Sequence, residues 1–248
     1  MAIYDEIYAF CAAKNEGNVF KNGKNITPRI KYILYLLEKE RIPYDIDVFK
    51  IDEENDGFNI NLIGNSDKFV VAHHDIVNPN SDNANDNSCS VINAIALKKL
   101  MPSINVVILD GEEYGGYGSQ HLSERINAGD FGEVKWVLNL ELTGIGGERF
   151  FLGDYPGPLT DHIQSMFDCP IVRTPFNDSV IFRKNGIDSV VINPLPPTEE
   201  KTPVVCSDGT CLDFKILFRC HSMADSVNEI STDDMKAFVE KVVVKIIS

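Results

Sequence analysis

Residues 68–75 read KFVVAHHD, and this stretch decides the fold class. The run Phe69-Val70-Val71-Ala72 shows no polar alternation, the pattern of a strand covered on both faces. Two more runs of the same kind follow: INVVILDGEE over 104–113 and VKWVLNLELTG over 134–144. Helical patterns separate them, SVINAIALKKL over 90–100 and a stretch around Gly118 to Ala128. Doubly covered strands alternating with helices predict an α/β three-layer sandwich around a mostly parallel, mixed sheet.

Outward from this centre, YDIDVFKI (44–51) and GFNINLIG (57–64) alternate like half-buried strands. RIKYILYLLEKERI (29–42) carries apolar residues at helical spacing, and Thr27-Pro28 supplies an N-cap and a proline at the first helical position. Ile3 to Ala13 reads as a short amphipathic helix. Late in the chain, DSVIFRKNG (178–186) predicts a helix and DSVVINPLPP (188–197) a strand running into a loop. A last helix covers TDDMKAFVEKVVVKIIS, capped by Thr232. Repeats and linkers are absent, so residues 1–248 read as one catalytic domain, most irregular at PLPPTEEKTP (194–203).

Composition narrows the function class. The 248 residues are 44% hydrophobic and 24% charged, with a formal net charge of -14. Nucleic acids and anionic membranes need basic patches, so neither is the expected partner. The first residues, MAIYDEIYAFCAAKNEGN, are acidic where a signal peptide is basic, and no stretch is apolar for long enough to span a bilayer. Six cysteines without metal-type pairs read as reduced thiols of a cytoplasmic protein, although Cys206 and Cys211 bracket a loop short enough for a disulfide.

Acids and histidines gather where an open α/β sheet binds ligands, at the carboxyl ends of its strands. In Ala72-His73-His74-Asp75, alternation turns His73 and Asp75 to one side, and a metal-bound imidazole usually gives its other N–H to a carboxylate. Asn85-Asp86-Asn87-Ser88 reads as a helix cap or as a carboxylate held between two cations. Glu112 and Glu113 follow a core strand directly and cannot share a face, which suits a base beside a ligand. Glu141 ends the strand Trp136-Val137-Leu138, and His221 is followed four residues later by Asp225. Each signal has a bland alternative: a structural His–Asp hydrogen bond, a helix cap, an acidic loop. Together they supply nitrogen and oxygen donors without thiolates, which suits zinc, and bridging carboxylates suit paired cations.

In this order, and with the Gly-Glu-Glu-x-Gly-x-x-Gly-Ser and Asp-Asn-x-x-Ser stretches, the chain resembles the co-catalytic di-zinc aminopeptidases. Bacterial leucyl aminopeptidase and aminopeptidase Y typify that family, and glutaminyl cyclases share its zinc-exopeptidase fold. The resemblance runs from about Phe69 to Ser231. It implies two zinc ions per chain (cobalt or manganese being the other options), with His73, Asp86 and Glu141 around one and His221, Asp86 and Glu113 around the other. It further implies Glu112 as general base, Asp75 orienting His73, a cis Asp86–Asn87 peptide, Asp225 steadying the loop or the His221 ring, and Asp178 lining the substrate site. The implied substrate is a peptide with a free amino terminus. Glu141 stands where the family commonly has Asp, and Cys89-Ser90 where it has Ser-Gly, which bears on substrate preference more than on metal binding. The alternatives are deacylation of a small amide metabolite, glutaminyl cyclisation, or a non-catalytic binding protein on the same scaffold. Tyr114, Tyr117, Phe151 and Tyr155 are candidate pocket aromatics. Oligomeric state is not legible.

Overall fold

Strand alternation sorts the core into two layers of side chains, one on each face of a single sheet. The computed structural model describes residues 3–14, 26–196 and 219–248. A 3-10 turn (Ile3–Glu6) runs into α1 (Ile7–Ala12), and α2 spans Pro28–Glu40. Strands β1 (Asp45–Lys50), β2 (Asp56–Leu62) and β3 (Lys68–His73) lead through an irregular turn at Ala84–Ser88 into α3 (Cys89–Leu100). Then come β4 (Asn105–Leu109), α4 (Tyr117–Ala128), β5 (Trp136–Leu140), β6 (Phe150–Gly153), α5 (Pro158–Met166), β7 (Ile171–Val172), α6 (Asp178–Lys184) and β8 (Ser189–Pro194). The chain ends in α7 (Thr232–Ala237), a π-helical stretch Phe238–Val243 and α8 (Val244–Ile247).

The eight strands are ordered β1-β2-β4-β3-β5-β8-β6-β7. The centre is parallel, β4 with β3, β3 with β5 and β5 with β8, while β1, β2 and β6 join antiparallel. On one face Val70, Ala72, Val106, Ile108, Leu138 and Ile192 pack with residues of α1, α2, α3, α5 and the C-terminal helices. On the other, Phe69, Val71, Val107, Leu109 and Val137 pack against Leu122 and Ile126 of α4 and Phe182 of α6. Both faces are therefore covered, as the unbroken apolar runs require, and each buried Phe, Leu or Ile contributes on the order of 1.5–3 kcal/mol of transfer free energy.

The helix starts follow their capping chemistry. Thr27 accepts a hydrogen bond from the Ile30 N–H at 3.2 Å, with Pro28 at the first helical position. The cap of the final helix is one residue before the Thr232 expected from sequence: Ser231 accepts from the Asp234 N–H at 3.2 Å, because its backbone is the extended one. Three elements, β6, β7 and α5, go beyond the sequence expectation, since β6 and β7 offer only four and two residues of pattern. Among the described residues no helix is long and apolar enough to cross a membrane. Cys11, Cys89 and Cys169 are buried thiols, and Cys206 and Cys211, whose pairing the sequence left as an option, lie outside the described residues.

Candidate active site

The register of the parallel strands brings three chemistry-bearing loops to one edge. His73 pairs with Leu109 across β3 and β4, and Val71 pairs with Asn139 across β3 and β5. The residues just beyond, Asp75, Glu112, Glu113 and Glu141, therefore share the carboxyl edge on either side of β3, where the chain switches direction across the sheet. Alternation acts as expected: His73 Nδ1 lies 3.3 Å from Asp75 Oδ1, whereas His74 turns away, its Nε2 3.1 Å from the Phe58 carbonyl oxygen. Asp75 also accepts the N–H groups of Glu112 (3.2 Å) and Glu113 (3.0 Å), so one carboxylate fixes both the His73 ring and the two glutamates. The turn after them needs Gly118, where a Cβ would lie 2.4 Å from the Asp110 carbonyl oxygen.

Asp86 stands between two groups of donors. Its Oδ1 is 3.4 Å from His73 Nε2, which is also 3.5 Å from Glu141 Oε2. Its Oδ2 is 3.3 Å from His221 Nε2, which is 2.9 Å from Glu113 Oε2. Ligand atoms of His73, Asp86 and Glu113 all lie within 4.8 Å of one another. Glu112 reaches in from the side, its Oε2 4.0 Å from His73 Nε2. The six residues expected at the centre are thus brought together, and the Asp86–Asn87 peptide is cis.

Hydrogen bonds to the backbone lock these donors to one another. Asp225 accepts the N–H groups of Asn85 (2.7 Å) and Asp86 (3.0 Å); of its two expected roles it takes the loop, not the His221 ring. The Asn87 side chain donates to the Leu140 carbonyl (3.0 Å) and accepts from the Leu142 N–H (3.2 Å), bracketing Glu141. Asn193 donates to the Glu141 carbonyl oxygen at 3.2 Å. Sequence reasoning missed Asn87 and Asn193, because an Asn in a polar loop or a strand end carries no distinctive spacing. The bulkier Cys89-Ser90 turn is accommodated opposite Gly144, where a Cβ would come within 2.8 Å of Cys89 Sγ.

So many acids in a buried place leave their mark on protonation. Burial pushes Glu112 well above the usual carboxyl range, with Glu141, Asp178 and Glu113 adding to it. Burial likewise raises Glu113 to about 7 and raises Glu141. Hydrogen bonds to Asp86 and Glu113 raise His221 to about 10. Burial disfavours charge on His73, yet the surrounding Glu141, Asp75 and Asp86 carboxylates hold its pKa well above the ordinary value. Burial pushes the Cys220 thiol far up, reinforced by Asp86 and Asp225.

The donors open onto a cavity of about 400 Å³. Its other walls are Leu142, Val191 and Asn193 with the turn Thr174-Pro175-Phe176-Asn177. Asp178, expected to line the substrate site, is fully buried behind that turn at the start of α6. The expected pocket aromatics are also elsewhere. Phe151 is core, the Tyr114 hydroxyl donates to the Ile76 carbonyl at 3.3 Å, and Tyr155 backs the wall, accepting from the Asn177 side chain at 3.1 Å. Tyr117 opens α4, 39% exposed and outside the cavity wall.

Known proteins place this architecture. The structure is similar to the Legionella pneumophila LapA aminopeptidase at 14% identity and a TM-score of 0.68, over 98% of this chain and 68% of that one. It is similar to BSAP, a zinc aminopeptidase from Bacillus subtilis, at 19% identity and a TM-score of 0.62, over 79% of this chain but only 50% of that one. Porphyromonas gingivalis glutaminyl cyclase is similar at 18% identity and a TM-score of 0.68, over 98% of this chain and 97% of that one. At these identities the likeness shows a shared fold. This chain spans half of the Bacillus enzyme and nearly all of the cyclase. No curated protein matches the sequence. The model for peptidase family M28 matches residues 63–245, from the strand before the first histidine to the last helix. The chain belongs to peptidase family M28.

Proposed function

We propose that the protein is a di-zinc aminopeptidase that removes amino-terminal residues from peptides. One observation carries the reading: the two oxygens of Asp86 face two different histidine–glutamate pairs, His73 with Glu141 and His221 with Glu113. A single carboxylate shared between two donor sets is what a pair of cations needs. The chemistry of the set fits zinc, which takes imidazole and carboxylate donors. Five buried or nearly buried carboxylates (Asp75, Asp86, Glu112, Glu113, Glu141) around one fully buried histidine are electrostatically costly without compensating charge, and two divalent ions would supply it.

Bound there, the cations would polarise a scissile carbonyl and make a neighbouring water easier to deprotonate. The residues of the chain do the rest. Glu112, raised in pKa by its burial, takes the proton from the attacking water and returns it to the leaving amine. Asp75 keeps Glu112 and Glu113 at fixed height through their N–H groups. The acidic floor attracts the ammonium group of a peptide with a free amino terminus, and the apolar wall of Leu142, Val191 and Phe176 receives its first side chain.

A second reading on the same scaffold is cyclisation of amino-terminal glutamine, the activity named for the Porphyromonas gingivalis protein that shares this fold. Metal analysis joined to a substrate panel decides between them, using aminoacyl anilides, N-acylated amides and glutaminyl peptides with wild type and Glu112→Gln. About two zinc ions per chain, with aminoacyl cleavage lost in Glu112→Gln while the metal stays, is the expected result. Ammonia release from glutaminyl peptides alone would establish the cyclase, and cleavage of acylated amides alone a deacylase. A protein that retains no metal would refute the proposal.

A further inference from the structure

Arg29 is the one guanidinium among the described residues with no exposure at all, and it lies in the first turn of α2, outside the matched family segment. A buried charge persists only where its surroundings compensate it. Here Nε donates to the His74 carbonyl oxygen at 2.5 Å, and Nη2 donates to Ser88 Oγ at 2.8 Å. The Phe10 ring covers the guanidinium with its centroid 4.2 Å from Cζ. Ser88 passes the contact on, donating to the Asn83 carbonyl at 2.5 Å and closing the loop that carries Asp86. Nη1 has no hydrogen-bond partner, so neutral acceptors alone do not account for the charge. The carboxylates of Asp75, Asp225 and Asp86 act on it favourably.

The two atoms that Arg29 holds belong to the two chain segments whose spacing the centre depends on. His74 sits between His73 and Asp75, and Ser88 sits two residues after Asp86. The two segments approach each other at the centre, where His73 Nε2 lies 3.4 Å from Asp86 Oδ1. We propose that Arg29 is the positioning residue of the centre, a buried two-armed cation that sets the distance between the His73 strand end and the Asp86 loop. The inference rests on the two-cation reading. Arginine suits the task because its planar fork reaches two acceptors at fixed spacing and stays charged when buried, whereas lysine offers one flexible point charge.

Cobalt(II) titration by calorimetry and visible absorption tests this on chelator-stripped wild type, Arg29→Met, Arg29→Lys and Ser88→Ala, at a temperature where circular dichroism shows each folded. Residues that support metal ligands typically change affinity about 10–100-fold. Arg29→Met is expected to weaken the tighter cobalt step by about that factor, Arg29→Lys to recover part of it, and Ser88→Ala to lose a smaller share. An Arg29 that merely stabilised the fold would lower melting temperatures and leave cobalt affinity at wild-type values, and that result overturns the proposal. If Arg29→Met does not fold, Ser88→Ala decides, with unchanged affinity again overturning it. Wild type that binds no cobalt refutes the two-cation reading and this inference together, whereas two ions bound equally by all four proteins refutes the role of Arg29 alone.

Discussion

Replacing Asp178 with Asn should make the metal-free protein more stable, increasingly so as the pH rises. Asp178 is fully buried at the start of α6, and neither carboxylate oxygen has a hydrogen-bond partner of normal geometry. Burial, reinforced by Glu141 and opposed by His73, pushes its pKa from 3.8 up to about 7. The folded state therefore holds its proton over a pH range where the unfolded chain has released it. The stability that this carboxyl permits is complete below about pH 4 and is lost as the pH rises through about 7. A shift of roughly 3 units at 1.36 kcal/mol each puts the full penalty at about 4 kcal/mol. Between pH 5 and pH 8 the part that develops is about 2–3 kcal/mol. Urea unfolding in chelator at both pH values, extrapolated linearly for wild type and Asp178→Asn, measures it. The stability gap in favour of the variant should widen by that amount from pH 5 to pH 8. A gap of the same size at both pH values would refute the reasoning, because a purely steric or packing effect has no reason to titrate.

Asp225→Ala removes the acceptor of two N–H groups next to Asp86 and should weaken zinc binding about 10–100-fold, read by competition with a chromogenic chelator. Unchanged affinity would show that the loop holds Asp86 without help. Thr27→Ala deletes the cap of α2 and should cost about 1 kcal/mol in the same urea assay. Zinc at a hundredfold excess over its dissociation constant should stabilise the stripped protein by about 2.7 kcal/mol per independent site, so a melting temperature that ignores added zinc counts against the centre.

The central sheet was legible because its strands are covered on both faces: Phe69 to Ala72 and Val106 to Leu109 leave no polar alternation to misread. The edge was not. Phe150–Gly153 and Ile171–Val172 pair only along short stretches, and Phe151 and Val172 join a small local cluster with Leu142 and Leu195 while Phe150 and Leu152 face the main core. For α5 the signal existed, since Gly157-Pro158 places a proline at the first helical position. The acids and histidines could be found from their placement after core strands. Asn87 could not, because its work is done on two backbone groups 53 and 55 residues away. Arg29 was visible in principle: it shares a helical face with Ile33 and Leu36, an odd neighbour for residues otherwise apolar and buried. Among the candidate pocket aromatics, Phe151 obeys strand alternation and is buried in the core.

The division of the cavity wall has an evolutionary consequence. The donors hang on loops knotted together through Asp75, Asn87 and Asp225, so none of those loops is free to change by itself. The turn Thr174 to Asn177 takes no part in that knot and still forms one side of the cavity. The turn can therefore change without disturbing the donor loops, whereas Leu142, another part of the wall, is tied to them through Asn87. Under the proposed function, a lineage can explore new amino-terminal preferences by mutating four residues between β7 and α6 while the donor loops pass unaltered from ancestor to descendant.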